Sequence, residues 1–176
     1  MNNLVIGIVG KIQSGKSTLA KKLSENLDVP IISFGGYLRE FSENNSLPVD
    51  RFSLQELGEK RIKEEADVFL EDVLANSKND TSTIIIEGIR HFAIYEALRK
   101  KYQLSFFVYC ETPFEERHAR YIRKSGLEKI TLDEFFKIDN HNVELEIEGL
   151  KHQCNKTRVP DESTEIIEAE IKNLIL

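Results

Sequence analysis

Cysteine, positive charge and long apolar runs are all scarce in this chain. Only Cys110 and Cys154 occur in 176 residues, without metal-ligand or disulfide spacing. A disulfide scaffold and a cysteine-based zinc site are therefore excluded, and a reducing, cytoplasmic setting is the default. Cys110 closes an apolar stretch and is expected to be a small core residue. No apolar run approaches the ~20 residues that cross a bilayer, and the N-terminus lacks the basic region of a secretion signal. Lys and Arg total 24 against 30 Asp and Glu, a net charge of −6. Domains that bind polyanions broadly are usually basic, so a nucleic-acid polymer is not expected as partner. A small anion could still sit in a local basic pocket. No repeat or low-complexity segment interrupts the chain, which reads as one domain over 1–176.

Against these absences stands one dense motif. The run Leu4-Val5-Ile6-Gly7-Ile8-Val9 reads as a buried strand, and Gly10-Lys11-Ile12-Gln13-Ser14-Gly15-Lys16-Ser17 follows at once. The next residues place Ala20, Leu23 and Leu27 on one helical face. Gly10 and Gly15 permit backbone angles that other residues avoid, so consecutive N–H groups can turn inward and form an anion-binding nest. The helix start adds unpaired N–H groups and its positive dipole end. Strand, G-x-x-x-x-G-K-S loop and helix in that order form a phosphate-binding loop. Gly10, Ile12, Gln13, Ser14, Gly15, Lys16, Ser17 and Thr18 are expected to hold ATP. The Lys16 ammonium would reach its last two phosphates, and the Ser17 hydroxyl would ligate the accompanying Mg²⁺.

Further apolar strands are expected at Val29–Ser33, Thr83–Glu87 and Leu104–Tyr109, with a weakly marked fifth near Thr157-Arg158-Val159. Helices alternate with them. Capping-box signatures stand at Ser53–Glu56, Thr112–Glu115 and Thr131–Glu134. The stretch from Val143 alternates like a strand, yet Val143, Ile147, Leu150 and Cys154 also form one helical stripe. Its persistence over three turns favours helix. Ser163–Leu176 reads as a helix packed through Ile167, Ile171 and Leu174. Alternating strands and helices predict an α/β fold: a three-layer, doubly wound parallel sheet of about five strands. Ligands bind beyond the carboxyl ends of such strands, where Gly10, Ser33 and Glu87 should converge.

Two further stretches bear on the acceptor of the phosphoryl group. Ile31-Ile32-Ser33-Phe34-Gly35-Gly36-Tyr37-Leu38-Arg39 resembles the acceptor-binding segment of adenylate kinases and related nucleoside monophosphate kinases. Ile84-Ile85-Ile86-Glu87-Gly88-Ile89-Arg90 resembles that family's strand–acid–glycine–x–x–arginine stretch, one residue shorter. The resemblance implies that Gly36 lies in the acceptor turn and that Arg39 and Arg90 bind the acceptor phosphate. It gives Glu87 the place of an aspartate that orients Mg²⁺. Glutamate is longer, so contact with the acceptor's sugar or base, or capping of the next turn, stays open. Arginines suit the task, because two polyanions must meet and a guanidinium fork bonds phosphate oxygens bidentately. For Arg39 the alternative is a solvated helix arginine.

Arg117, Arg120 and Arg123 recur every third residue along one side of a helix. The resemblance places them in a lid, over about 112–139, that closes on the transferred group. Arg117 and Arg120 are the stronger candidates. Asp139 is a candidate partner for them, and a salt-bridged surface helix with Glu115 and Glu116 is the bland alternative. The resemblance runs from Leu4 to about Arg123. It does not match the acidic section between Ser42 and Ser77 within the helical insert at about 35–78, and the lid lacks zinc-binding cysteines. It implies an ATP-dependent phosphotransferase acting on a small ribo- or deoxynucleotide, as a monomer or small homo-oligomer. A dephospho-CoA kinase is the nearest rival, although Ile32–Gly36 lacks that family's D-x-D pattern. A regulatory ATP-binding module remains a rival of another class.

Overall fold

Strand β1 (Leu4–Val9) sends alternate side chains into two separate cores. Val5 and Val9 join one core, and Leu4, Ile6 and Ile8 join the other, as the two-residue period of a strand requires. The computed structural model describes residues 3–76, 82–125, 130–140 and 142–175. Five parallel strands form the sheet: β1, β2 (Ile31–Ser33), β3 (Thr83–Ile89), β4 (Leu104–Cys110) and β5 (Lys156–Arg158). Their spatial order is β2-β3-β1-β4-β5.

One face of the sheet is covered by α1 (Lys16–Leu27) and α8 (Glu165–Ile175), through Leu19, Ala20, Leu23, Ile167 and Ile171. The other carries α2 (Phe34–Asn44), α3 (Arg51–Asn76), α4 (Phe92–Lys101) and α7 (Asn142–Lys151). Helices α5 (Phe114–Ser125) and α6 (Leu132–Asp139) lie at the carboxyl edge beside the glycine loop. Gly7 is fixed by packing: a Cβ there would lie 2.3 Å from the Phe107 ring. No helix among the described residues is long and apolar enough to cross a membrane.

The three-layer doubly wound expectation is met, including helix rather than strand at α7 and a fifth strand near Thr157. The chain departs from expectation at three points. β3 runs past Glu87, because a bulge pairs Ile8 with Glu87 but Val9 with Ile89. Gly88 supplies the bulge's positive φ of 86°, returning Ile89 to the face of Ile84 and Ile86. α3 is capped not by Ser53 but by Asp50, which accepts from the Ser53 amide at 3.1 Å and its hydroxyl at 2.6 Å. Those bonds hold the Asp50 carboxyl below its usual range. Thr112 donates its hydroxyl to the Ser14 carbonyl at 3.0 Å, tying the start of α5 to the glycine loop. The third box, Thr131 with Glu134, is formed in both directions.

Candidate active site

The loop between β1 and α1 turns by three left-handed residues: Gly10 at φ 145°, Gln13 at 59° and Gly15 at 92°. Gln13 needs no glycine, because 59° lies in the small region open to L-residues. Gly10 admits nothing larger. A Cβ there would stand 2.6 Å from both the Cys110 carbonyl and Ser14 Oγ. Gly10 therefore shapes the loop from behind and does not line the cleft. Lys16 donates to the Lys11 carbonyl at 2.6 Å, so its ammonium folds back across the loop mouth.

Three consecutive loop carbonyls are held from outside. Arg117 reaches Ile12 at 3.3 Å, Arg120 reaches Gln13 at 3.3 Å, and Thr112 reaches Ser14. Carbonyls held outward favour amides turned to the concave side, the electrostatic requirement for an anion nest, although the Ser14 amide is engaged by the Lys11 carbonyl at 3.2 Å. Arg117 is only 5 % exposed and Asp139 only 3 %. They form a bidentate pair, Nη2 lying 2.8 Å from Oδ2, while Nε donates to the Thr112 carbonyl at 3.0 Å. Lys11 adds a second cation 3.6 Å from Asp139 and pairs with Glu148 at 2.8 Å. The expected contact between Arg117 and the transferred group is thus replaced by a buried brace behind the loop. Pairing with Asp139 is as expected, with that consequence. Arg120 sits at the loop's rim, within 2.5 Å of Glu116 Oε1 and close to Gly15.

On the concave side lies a cleft of about 470 Å³, lined by Ile12 to Thr18, by Gly36 and Arg39 of α2, and by Glu87 and Arg90. Ser33 caps α2 by accepting from the Gly36 amide at 3.2 Å, which directs the first turn of that helix toward the cleft. The Ser17 hydroxyl donates to Glu87 Oε2 at 2.7 Å across the carboxyl ends of the sheet. Two oxygen ligands therefore stand side by side at a helix N-terminus. That is as much as a Mg²⁺ ion asks of a protein, since it takes one or two side chains and completes its octahedron with water and phosphate. Among the described residues no three His, Cys, Asp or Glu side chains cluster to hold a metal alone. Burial pushes the nearby Cys110 thiol up to about 11, the charges of Lys16 and Arg158 opposing the shift. It stays a neutral wall.

Several lining residues carried no sequence signal. Lys124 of α5 lines the cleft, whereas Arg123, the weakest member of the arginine series, does not. A three-residue spacing drifts around a helix, and 120 to 124 follows the cleft side more closely. Arg51, Gln55 and Glu59 line the opposite wall from α3. At four-residue intervals they read in sequence as an ordinary solvated face, and only the fold shows what they oppose.

A glycine loop at the carboxyl edge of a parallel sheet, facing a basic cleft, defines a P-loop α/β protein. Residues 9–135 match the family model AAA_17, described as an AAA domain, and the chain belongs to that family. A cytidylate kinase of Methanosphaera stadtmanae is 32% identical over 85 residues, covering 48% of this chain and 47% of that protein. A cytidylate kinase of Ignicoccus hospitalis is 31% identical over 124 residues, covering 70% of this chain and 66% of its own. The matched region thus spans about half of the first relative and just under two thirds of the second. Shikimate kinase from Bacteroides thetaiotaomicron superposes with a TM-score of 0.55 at 18% identity, over 97% of this chain and 95% of that one. At that identity the likeness is one of fold.

Proposed function

We propose that this protein transfers the terminal phosphoryl group of ATP to a nucleoside monophosphate. One observation carries the reading: Arg39 and Arg90, from separate elements, line the same cleft as the Gly10–Ser17 loop. The cytidylate kinases among its relatives support it. In this reading the loop amides and Lys16 hold the donor's phosphates, and Arg39 and Arg90 hold the acceptor's phosphate and cancel the repulsion between the two anions. An acceptor oxygen attacks the terminal phosphorus, the bond from phosphorus to the bridging oxygen breaks, and ADP leaves. Mg²⁺, held through Ser17 and Glu87, would neutralise charge on the donor's phosphates. Arg120 and Lys124 flank the transferred group, and Arg117 keeps the loop in shape. No general base is required, because a phosphate monoester's second pKa is about 6.

A hydroxyl acceptor fits less well. It needs a carboxylate base near the reacting oxygen. The turn after β2 offers Ser33, Phe34, Gly35 and Gly36, while the Glu87 carboxylate is engaged by Ser17. A non-catalytic ATP-binding module fits less well still, since it has no use for arginines on the far wall. The two free thiols are compatible with the cytoplasm. The test is ADP release coupled to a panel of ribo- and deoxynucleoside monophosphates, with dephospho-CoA included. Release stimulated by monophosphates supports the reading. Stimulation by dephospho-CoA alone, or ATP binding with no acceptor-dependent release, overturns it.

A further inference from the structure

Phosphate chemistry leaves one wall of the cleft without a task. Along α3, Arg51, Gln55 and Glu59 face the cleft one turn apart. A guanidinium suits a phosphate. An amide gains little from one, and a carboxylate repels it. The far end of the stripe must then meet a part of the ligand that is not phosphate. The Gln55 amide nitrogen is buried, yet it has no hydrogen-bond partner among the described residues. Buried donors in native structures normally have partners, so an unmatched one lining a binding cleft points to a ligand atom. One turn on, Glu59 Oε2 lies 3.5 Å from the Lys63 ammonium, which anchors the carboxylate from the solvent side. Leu54 and Ile62 supply an apolar wall beside the polar stripe. Gly58 keeps that wall thin, since a Cβ there would stand 3.1 Å from Leu38 of α2.

Resting on the proposed phosphotransfer to a nucleoside monophosphate, we infer that Gln55 and Glu59 read the acceptor's base and select one with an exocyclic amino group beside a ring nitrogen. A carboxylate only accepts hydrogen bonds, so Glu59 requires an N–H on the ligand. The Gln55 NH₂ only donates, so it requires a lone pair next to that N–H. Cytosine offers N3 beside its 4-amino group, and adenine offers N1 beside its 6-amino group. Uracil and thymine present the reverse order, a ring N–H beside a carbonyl oxygen, and that oxygen would meet the carboxylate. Gln55 alone discriminates poorly, because its amide can rotate and exchange donor for acceptor. Glu59 cannot, so the selectivity resides there. Sites that hydrogen-bond a polar substrate group reject analogues lacking it far more strongly than apolar pockets reject a missing methylene.

The experiment compares wild type, Glu59→Gln and Gln55→Leu with CMP, AMP, UMP and dTMP as acceptors. Catalytic efficiency is read from ADP release, and Kd for CMP and UMP from calorimetry in the presence of a non-hydrolysable ATP analogue. Wild type is expected to favour CMP or AMP over UMP and dTMP by at least tenfold. Glu59→Gln should compress that ratio by about tenfold or more, because a glutamine side chain can also donate to a carbonyl. Gln55→Leu should raise KM for the amino-bearing acceptor while leaving the ranking of bases in place. A Glu59→Gln enzyme with the wild-type ratio in both kinetics and Kd overturns the inference while phosphotransfer to monophosphates stands. So does a wild type that treats CMP, AMP, UMP and dTMP alike. If no monophosphate binds or stimulates ADP release, the phosphotransfer reading itself fails, and the base-reading role fails with it.

Discussion

Asp139, the last residue of α6, grips the Arg117 guanidinium with both carboxylate oxygens while the same guanidinium donates to the Ile12 carbonyl of the glycine loop. The loop's shape is therefore tied to a helix more than a hundred residues away in sequence. Removing one member of a buried ion pair leaves the other charge uncompensated, which costs about 3–5 kcal/mol. Asp139→Asn is expected to lower the urea midpoint with no change in m, and to weaken ATP binding because the brace behind Ile12 loosens. A variant with the wild-type midpoint and wild-type ATP affinity would show that the pair braces nothing.

Lys16 is half-buried at the cleft, where its ammonium donates to the Lys11 carbonyl of its own loop. Its truncation should therefore spare the fold. Lys16→Ala is expected to reduce acceptor-dependent ADP release by about a hundredfold or more, the scale at which one preorganised charge-stabilising donor contributes. Far-UV circular dichroism and the thermal midpoint should stay close to wild type. Turnover within a fewfold of wild type would remove Lys16 from the catalytic machinery.

Arg39 of α2 and Arg90, just past the end of β3, line the same cleft as the glycine loop. A hydrogen bond to a charged group contributes about 1.5–3 kcal/mol. Alanine at either position should raise KM for the monophosphate roughly ten- to hundredfold and leave Kd for ATP nearly unchanged. Lysine should restore only part of the loss, because it lacks the planar fork. Equal weakening of ATP and acceptor by Arg39→Ala would contradict the division of labour between the two halves of the cleft.

The glycine-loop half of this site was legible in the sequence because its signals are local. Leu4 to Thr18 couples a strand period, fixed glycine spacing and a helix start within fifteen positions, and backbone sterics leave little choice among them. β3 and β4 were legible as apolar runs, although the bulge at Gly88 was not, since a lone glycine marks either a bulge or a strand end. Arg117 shows where local reading stops. Spacing placed it on the same helical side as Arg120, but the depth of that side depends on Asp139 and on the Ile12 carbonyl, which only the folded chain brings together. The α3 stripe fails for the same reason. Arg51, Gln55 and Glu59 differ in sequence from a solvated face in no way at all. The caps at Thr112 and Ser53 were misread because a hydroxyl also donates: Thr112 to the distant Ser14 carbonyl, and Ser53 to Asp50, the residue that caps the helix in its place.

The two cysteines give the protein a weak alkaline limit. Burial raises the Cys110 thiol to about 11 and the Cys154 thiol to about 12, above a thiol's ordinary value of 9.0. Burial also lifts the Tyr109 hydroxyl from 10.0 to about 12, with Glu148 and Glu111 reinforcing the shift. In each case the folded state keeps its proton after the unfolded chain has lost it. Stability is then fully present below about pH 9 and falls as pH rises, because the folded state binds more protons across that window. Each such group contributes a slope of at most about 1.4 kcal/mol per pH unit. Urea unfolding between pH 7 and 11 should show a level region followed by a decline above pH 9. Cys110→Ala should flatten part of that decline at some cost in packing at pH 7. At pH 8 a thiol-specific disulfide reagent should label the native protein far more slowly than the urea-unfolded chain. Rapid labelling of Cys110 in the native state would mean that it is open to solvent, and the alkaline decline would then need another cause.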